Sequence, residues 1–187
     1  MTDSPITILG IAGSLRRASF NHGLLLAAQE VAPAGVEVQI LDLAPIPFYN
    51  ADVEAAGMPE PVQQLRDRIA TADALLLTVP EYNHSFTAVL KNALDWASRP
   101  RPVSVLRQKP VALMGAGGGF GTVRAQMALR PVLASNEAYV MPKPELYVSG
   151  APQKFDEAGR LTDGQTLESV RALVEALADW TRRLRIE

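Results

Sequence analysis

The chain has 187 residues, 48% of them hydrophobic and 20% charged, a net charge of −2 and no cysteine. These values suit one soluble globular domain over residues 1–187 with a sizeable core. They exclude disulfides, thiolate nucleophiles, iron–sulfur clusters and cysteine-based zinc sites, and the lack of a basic excess argues against nucleic acid or an anionic membrane as partner.

The opening Met1-Thr2-Asp3-Ser4-Pro5 has neither a basic segment nor a long apolar one, so no signal peptide is expected. No run of about 18 apolar residues occurs, so no membrane span is expected either. A cytoplasmic location is the expectation, and the missing cysteines fit it.

Ile6-Thr7-Ile8-Leu9 opens a strand over 6–12. A helix follows from near Ser19, a candidate cap, to about Val31, with Leu24, Leu25, Ala28 and Val31 on one face. Residues 36–41 read as a second strand. The segment 43–61, rich in Pro, Ala and Asp, reads as a long connection. Val62, Leu65 and Ile69 mark a helix over 62–72. The all-apolar run 74–79 reads as a central parallel strand covered on both faces. A helix over 88–98, a strand over 111–115 and a helix over 122–134 follow, the last with Val123, Met127, Ala128 and Leu129 inward. A shorter strand is expected at 145–148. Leu167, Val170, Leu173, Val174, Leu177 and Trp180 recur at helical spacing and place a long apolar-striped helix at the C-terminal end. Strands alternating with helices predict an open, doubly wound parallel sheet. Such a sheet binds ligands beyond the carboxyl ends of its strands, where the strand order reverses.

Three loops carry unusual residues there. The first, Gly10-Ile11-Ala12-Gly13-Ser14-Leu15-Arg16-Arg17-Ala18-Ser19-Phe20-Asn21, joins the first strand to the first helix. Unpaired N–H groups at a helix start favour an anion, and Ser14, Ser19, Asn21 and an arginine add donors. A phosphate-bearing ligand is one reading and a ligand-free Gly-Ser connection is the other. Neither G-x-G-x-x-G after the strand nor G-x-x-x-x-G-K-[ST] occurs. The second loop, Pro80-Glu81-Tyr82-Asn83-His84-Ser85-Phe86, offers an aromatic face and backbone groups for a planar ring; alternatively Asn83 and Ser85 cap the next helix. The third, Gly115-Ala116-Gly117-Gly118-Gly119-Phe120-Gly121-Thr122, lets the backbone approach a ligand closely, or is a flexible connection capped by Thr122.

Other groups point to no chemistry. The histidines are His22 and His84, too few for a histidine metal site, and His22 reads as a surface group. Lys91 and Asp95 read as solvent or interface contacts, and Trp180 as core. No G-x-S-x-G elbow and no catalytic carboxylate pair is present. No metal is expected.

The motifs Gly13-Ser14-Leu15-Arg16 with Ser19-Phe20-Asn21, Pro80-Glu81-Tyr82-Asn83-His84-Ser85 with Leu90-Lys91-Asn92-Ala93-Leu94-Asp95-Trp96, and Gly118-Gly119-x-Gly121 with Arg124-Ala125-Gln126 resemble, in the same order, the NAD(P)H-dependent FMN reductase family, which includes chromate and quinone reductases. The resemblance implies a flavodoxin-like three-layer fold with a five-stranded parallel sheet of order 2-1-3-4-5. It implies that Ser14, Arg16, Ser19, Phe20 and Asn21 hold the FMN phosphate. Pro80, Glu81, Tyr82 and Asn83 would border the isoalloxazine, with backbone N–H groups near Tyr82 and Asn83 or in the glycine loop serving its edge. Gly115, Ala116, Gly117, Gly118 and Gly119 would pass beside it. The glycine run departs from the family's usual serine-containing version of this loop. The implied activity is ping-pong hydride transfer from NADPH or NADH to FMN and on to quinones, flavins, azo compounds or chromate, with no catalytic residue from the protein. A homodimer or homotetramer is also implied. A flavodoxin-like electron carrier, or an FMN-binding protein without its own reductase activity, is the alternative, although such carriers are usually markedly acidic.

Overall fold

The computed structural model describes residues 5–100 and 104–185; residues 1–4, read above for a leader, lie outside them. Strands β1 (Ile6–Ala12), β2 (Val36–Leu41), β3 (Ala74–Thr78) and β4 (Pro110–Ala116) are parallel and stand in the order β2-β1-β3-β4, with a fifth position beyond β4. Every residue of β3 and β4 is buried, because helices cover both faces of these central strands. β2 lies at an edge and keeps polar Glu37 and Gln39 among its apolar residues.

The fifth position is divided. β5 (Tyr139–Val140) pairs with Pro110 and Val111 at the start of β4, and β6 (Leu146–Val148) pairs with Met114–Ala116 at its end. The strand expected at 145–148 is therefore only the upper half of that position. Pro142 and Pro144 fall between the halves, and proline has no N–H to give a ladder.

Helix α1 (Phe20–Glu30) and the long C-terminal α6 (Gly164–Leu184) cover one face, where Ile6, Ile8, Leu24, Leu25, Leu76, Val170, Leu173 and Leu177 share a core. Helices α3 (Glu60–Thr71), α4 (Ala88–Ala97) and α5 (Val123–Ser135) cover the other, packing Val62, Leu65, Leu94, Trp96, Leu129 and Leu133 onto Leu9, Ile11, Leu75 and Leu77. Trp180, expected in the core, is half-buried against the first of these clusters.

Two further expectations change. The segment 43–61 contains a short helix, α2 (Ala51–Ala56), capped by the Asn50 side chain. None of its residues is buried, so no apolar stripe marks it in the sequence. The segment is clamped onto α4: Trp96 Nε1 and Asn92 Nδ2 donate to the Pro47 carbonyl at 2.8 and 2.9 Å, and Asn92 Oδ1 accepts from the Tyr49 N–H at 2.7 Å. In α5 the inward stripe is Ala125, Leu129 and Leu133, four residues apart, with Gln126 beside it. Met127 is two residues out of phase with that stripe and is 46% exposed rather than inward.

Close packing fixes the outer loop onto α1. A Cβ added to Gly23 would lie 1.9 Å from the Gly159 carbonyl oxygen, in the segment that pairs Phe155 with Leu161. Gly23→Ala is expected to cost about 2 kcal/mol, as overpacking against backbone does. Gly164→Ala, in the first turn of α6 where an added Cβ meets nothing within 4 Å, is expected to be neutral or stabilising; urea unfolding of both variants checks the pair.

At the other end of the chain, hydrogen bonds from the Thr166 hydroxyl and N–H hold the Asp163 carboxyl below its usual range. Asp163 caps α6 through these bonds. A carboxylate with a lowered folded pKa stabilises the fold above its unfolded value of about 4, and the contribution disappears as pH falls through the folded pKa. Unfolding curves below about pH 4 should therefore show a steeper stability loss for the parent chain than for Asp163→Asn.

Candidate functional site

The carboxyl ends of β1, β3 and β4 lie side by side, so the three loops meet on one rim of the sheet. Between them is a crevice of about 260 Å³. The first loop contributes Ser14, Arg16, Ser19, Phe20 and Asn21, the second Pro80, Glu81 and Tyr82, and the third Ala116, Gly117 and Gly118. Arg16, Phe20 and Pro152 also border an adjoining hollow of about 400 Å³ with Phe155, so the concavity extends beyond the crevice itself.

The first loop is arranged for an anion. Ser19 caps α1, its Oγ accepting from the His22 N–H at 3.3 Å, and Ser14 Oγ accepts from the Arg16 N–H at 3.3 Å. Each hydroxyl spends an acceptor in this way and keeps its hydrogen for a ligand. The first-turn N–H groups of Phe20 and Asn21 have no intrahelical acceptor and sit where the helix dipole is positive. Arg16 is folded over the loop, with Nη2 donating to the Ala18 carbonyl at 2.5 Å and the guanidinium 4.9 Å from the Phe20 ring centroid.

The Asn21 side chain has a different task from the one expected of it. Its Nδ2 donates to the Ala116 carbonyl at 2.9 Å and its Oδ1 accepts from the Ala116 N–H at 3.1 Å. The amide thus ties the first loop to the third, and the group Asn21 offers a ligand is its backbone N–H.

Glu81 is likewise engaged inside the protein. Its Oε2 accepts from the N–H groups of Arg124 and Ala125 at 3.1 and 3.2 Å, and its Oε1 pairs with the Arg124 guanidinium at 2.5 Å. Glu81 therefore caps α5, and Thr122 makes no capping bond to it. Among the described residues, Glu81 is the one carboxylate lining the crevice and is paired in place, so Arg16 and the α1 start set the charge at that end, while Asp156 and Glu157 line the adjoining hollow.

The second loop closes as a tight turn. Tyr82 and Ser85 exchange backbone hydrogen bonds at 2.9 and 3.0 Å, with Asn83 and His84 at φ 49° and 64° between them. Positive φ at both central positions is the hairpin-turn geometry that Asn favours. The Tyr82 N–H is consumed in this turn and does not serve the crevice. Asn83 stands at its exposed tip, away from the lining, and neither Asn83 nor Ser85 caps α4; Thr87 does.

In the third loop, Gly115 is buried inside β4, where an added Cβ would lie 2.1 Å from Thr122 Oγ1. Gly119 faces open space outside the lining. Pro152, which the sequence reading missed, reaches the crevice because the Gly150 and Ala151 N–H groups donate to the Gly118 and Gly117 carbonyls at 3.1 and 3.0 Å. Gly150-Ala151-Pro152 directly after an expected strand was the available signal. His22 is half-buried and lines a neighbouring cavity. Lys91 and Asp95 form an i,i+4 ion pair at 2.7 Å.

The NADPH-dependent FMN reductase family matches residues 6–153. An NAD(P)H-dependent FMN reductase from Pseudomonas aeruginosa is 46% identical over 96% of this chain and 97% of its own. An NAD(P)H:quinone oxidoreductase from Solanum tuberosum is 43% identical over 92% of this chain and 91% of its own. The solved structure of FerB, a flavoenzyme NAD(P)H:(acceptor) oxidoreductase from Paracoccus denitrificans, superposes with a TM-score of 0.86 at 35% identity, covering 95% of this chain and 98% of that one. The chain belongs to the NADPH-dependent FMN reductase family.

Membership makes it a flavodoxin-like FMN-dependent NAD(P)H oxidoreductase, with the sheet order β2-β1-β3-β4-β5 expected of that fold. The crevice fits the cofactor's chemistry: a positive loop for a phosphate, and side-chain-free backbone at Gly117 and Gly118 for a flat ring. None of the helices is long and apolar enough to cross a membrane, and no group of three or more potential metal ligands is found, both among the described residues.

Asn21→Ala should cost about 2 kcal/mol or more, because it strands two buried backbone groups of Ala116. Chemical denaturation checks the loss, and hydrogen exchange at the Ala116 amide should accelerate in the variant.

Proposed function

We propose that the crevice holds FMN with its phosphate on Ser14, Arg16, Ser19 and the backbone of Phe20 and Asn21. In this reading Pro80, Glu81 and Tyr82 border the ring, and Ala116, Gly117 and Gly118 run along it, while Asn83, Gly115 and Gly119 hold the shape of their loops. The observation that carries the reading is the convergence of the first-turn N–H groups of Phe20 and Asn21, two hydroxyl hydrogens and an arginine on one end of a shallow crevice. The chemistry supplied by a bound FMN is transfer of hydride equivalents from NAD(P)H to a second substrate. The protein's own part is binding and orientation: Arg16 and the α1 dipole neutralise the phosphate, and Glu81 fixes the second loop without leaving a free negative charge beside the ring. The Gly118 N–H, without a partner among the described residues, is the donor available to the ring edge.

The acceptor class we propose is quinones, supported by several relatives that carry that name at 37–43% identity. The whole chain is read as one domain acting in the cytoplasm, consistent with its lack of cysteine. Tyr82 and Phe120, 62% and 72% exposed and linked through Glu81 and Arg124, support assembly into a homodimer or homotetramer.

Purified protein should show an oxidised-flavin absorbance spectrum that bleaches on anaerobic addition of NADPH and returns with a quinone. Arg16→Ala should raise the FMN dissociation constant about tenfold or more, with saturating FMN restoring most of the rate. Full FMN occupancy with the rate abolished would contradict this role for Arg16.

A further inference from the structure

Arg16 stands between the crevice and a second cavity, of about 310 Å³, at the carboxyl ends of β1 and β2. The loop supplies Arg17 to it, the first turn of α1 supplies His22, and Asp42 follows the end of β2. The pairing of Ile11 with Leu41 brings Asp42 beside the start of the loop. Ile40 and Leu43 form an apolar wall.

The polar groups in this cavity are only partly used by the fold. Arg16 is held by the Ala18 carbonyl and the Phe20 ring. The side chains of Arg17 and His22 make no hydrogen bond or ion pair among the described residues. One Asp42 oxygen accepts from the Ala44 N–H at 2.9 Å, which fixes the carboxylate and leaves its other oxygen open. Two unpaired basic groups in one cavity with an apolar surface and one oriented acceptor match a phosphorylated adenosine. A guanidinium fork suits a phosphate dianion, the apolar wall suits the base, and the carboxylate suits a ribose hydroxyl or the adenine amino group.

We propose that this cavity receives the adenosine 2′-phosphate end of NADPH and that Arg17 sets the preference for NADPH over NADH; the assignment rests on the reading that NAD(P)H is the donor in the adjoining crevice. The two cavities adjoin at Ser14 and Arg16, so a dinucleotide lying over the flavin reaches this hollow along the solvent side of the phosphate loop. NADH keeps the apolar contact and loses the charged one.

The test is calorimetric titration of 2′,5′-ADP and of 5′-AMP into the FMN-loaded protein and its Arg17→Ala and His22→Ala variants, beside steady-state rates with NADPH and NADH. Arg17 is exposed and its side chain makes no hydrogen bond or ion pair among the described residues, so its replacement leaves the fold intact. The parent should bind 2′,5′-ADP about tenfold more tightly than 5′-AMP, with 2′,5′-ADP competitive against NADPH. Arg17→Ala should erase that difference and lower the NADPH-to-NADH ratio of kcat/KM about tenfold, with a smaller fall for His22→Ala. An undiminished preference for 2′,5′-ADP in Arg17→Ala overturns the assignment. So does inhibition by 2′,5′-ADP that is not competitive with NADPH, which would mark a separate nucleotide site. If the FMN-loaded parent oxidises neither donor, the donor reading itself fails, and this assignment with it; a tenfold preference for 2′,5′-ADP in that protein would mark an adenine-nucleotide site of another kind.

Discussion

The binding rim depends on one buried amide. Asn21 lies in the first turn of α1, yet both ends of its side chain bond the backbone of Ala116, 95 residues later in the chain. Ala116 is the last residue of β4, where a strand would otherwise fray into the glycine loop. The amide supplies there what a neighbouring strand supplies elsewhere, a donor and an acceptor in register. It also welds the first loop to the third. Gly13 performs the matching task between the first and second loops. Its N–H donates to the Thr78 carbonyl at 3.0 Å, and its own carbonyl accepts from Thr87 Oγ1 at 2.7 Å. A Cβ at Gly13 would come within 2.8 Å of Pro80 Cδ, so this close approach requires glycine.

The electrostatic design follows from the same economy of groups. A carboxylate beside a flavin phosphate would weaken binding, and Glu81 stands on the crevice wall. Its charge is cancelled by the Arg124 guanidinium and by two N–H groups at the start of α5. One side chain therefore caps a helix, anchors the second loop to the third and removes a negative field from the site. The Thr122 hydroxyl, released from capping, packs under Gly115 and accepts from Gln126 Nε2 at 3.1 Å. Gln126 Nε2 also lies 3.1 Å from the Leu146 carbonyl, which joins the glycine loop to the outermost strand position.

The sheet was legible in the sequence because its central strands are continuous apolar runs between polar breaks, and the helices because their apolar residues recur every three or four positions. What escaped was structure that carries no such period. Helix α2 buries nothing, β5 is two residues long, and the phase of α5 was misjudged at Met127 because Val123, Ala128 and Leu129 suggested a broader apolar face than Ala125, Leu129 and Leu133 use. The site was legible as three loops and less so as individual roles. A lining list can be read from residue type and spacing. Whether Asn21 or Glu81 points outward or back into the protein depends on partners more than 40 residues away, Ala116 and Arg124, which no local pattern encodes. Pro152 entered the crevice for the same reason, through backbone bonds to Gly117 and Gly118.

The third loop divides the rim into fixed and adaptable parts. Gly115 and Gly117 have atoms so close that a Cβ has no room, and Gly121 combines a φ of +60° with tight packing on Tyr147, so these positions are held. Gly118 and Gly119 have nothing within 4 Å of an added Cβ, and Phe120 beside them is 72% exposed. Rigidity is thus concentrated where the loop meets the sheet and released where it meets solvent. The positive end of the crevice is set by α1 and by bonds that cannot shift without breaking the core. The opposite edge is formed by an aromatic turn and the open Gly118, with Gly119 and Phe120 exposed outside the lining. A site with one end fixed by charge and the other bounded by open, apolar edges discriminates strongly for a phosphate-bearing cofactor. It discriminates weakly among the flat molecules that must come and go beside it, because the edge they meet offers shape and apolar surface but few oriented polar groups.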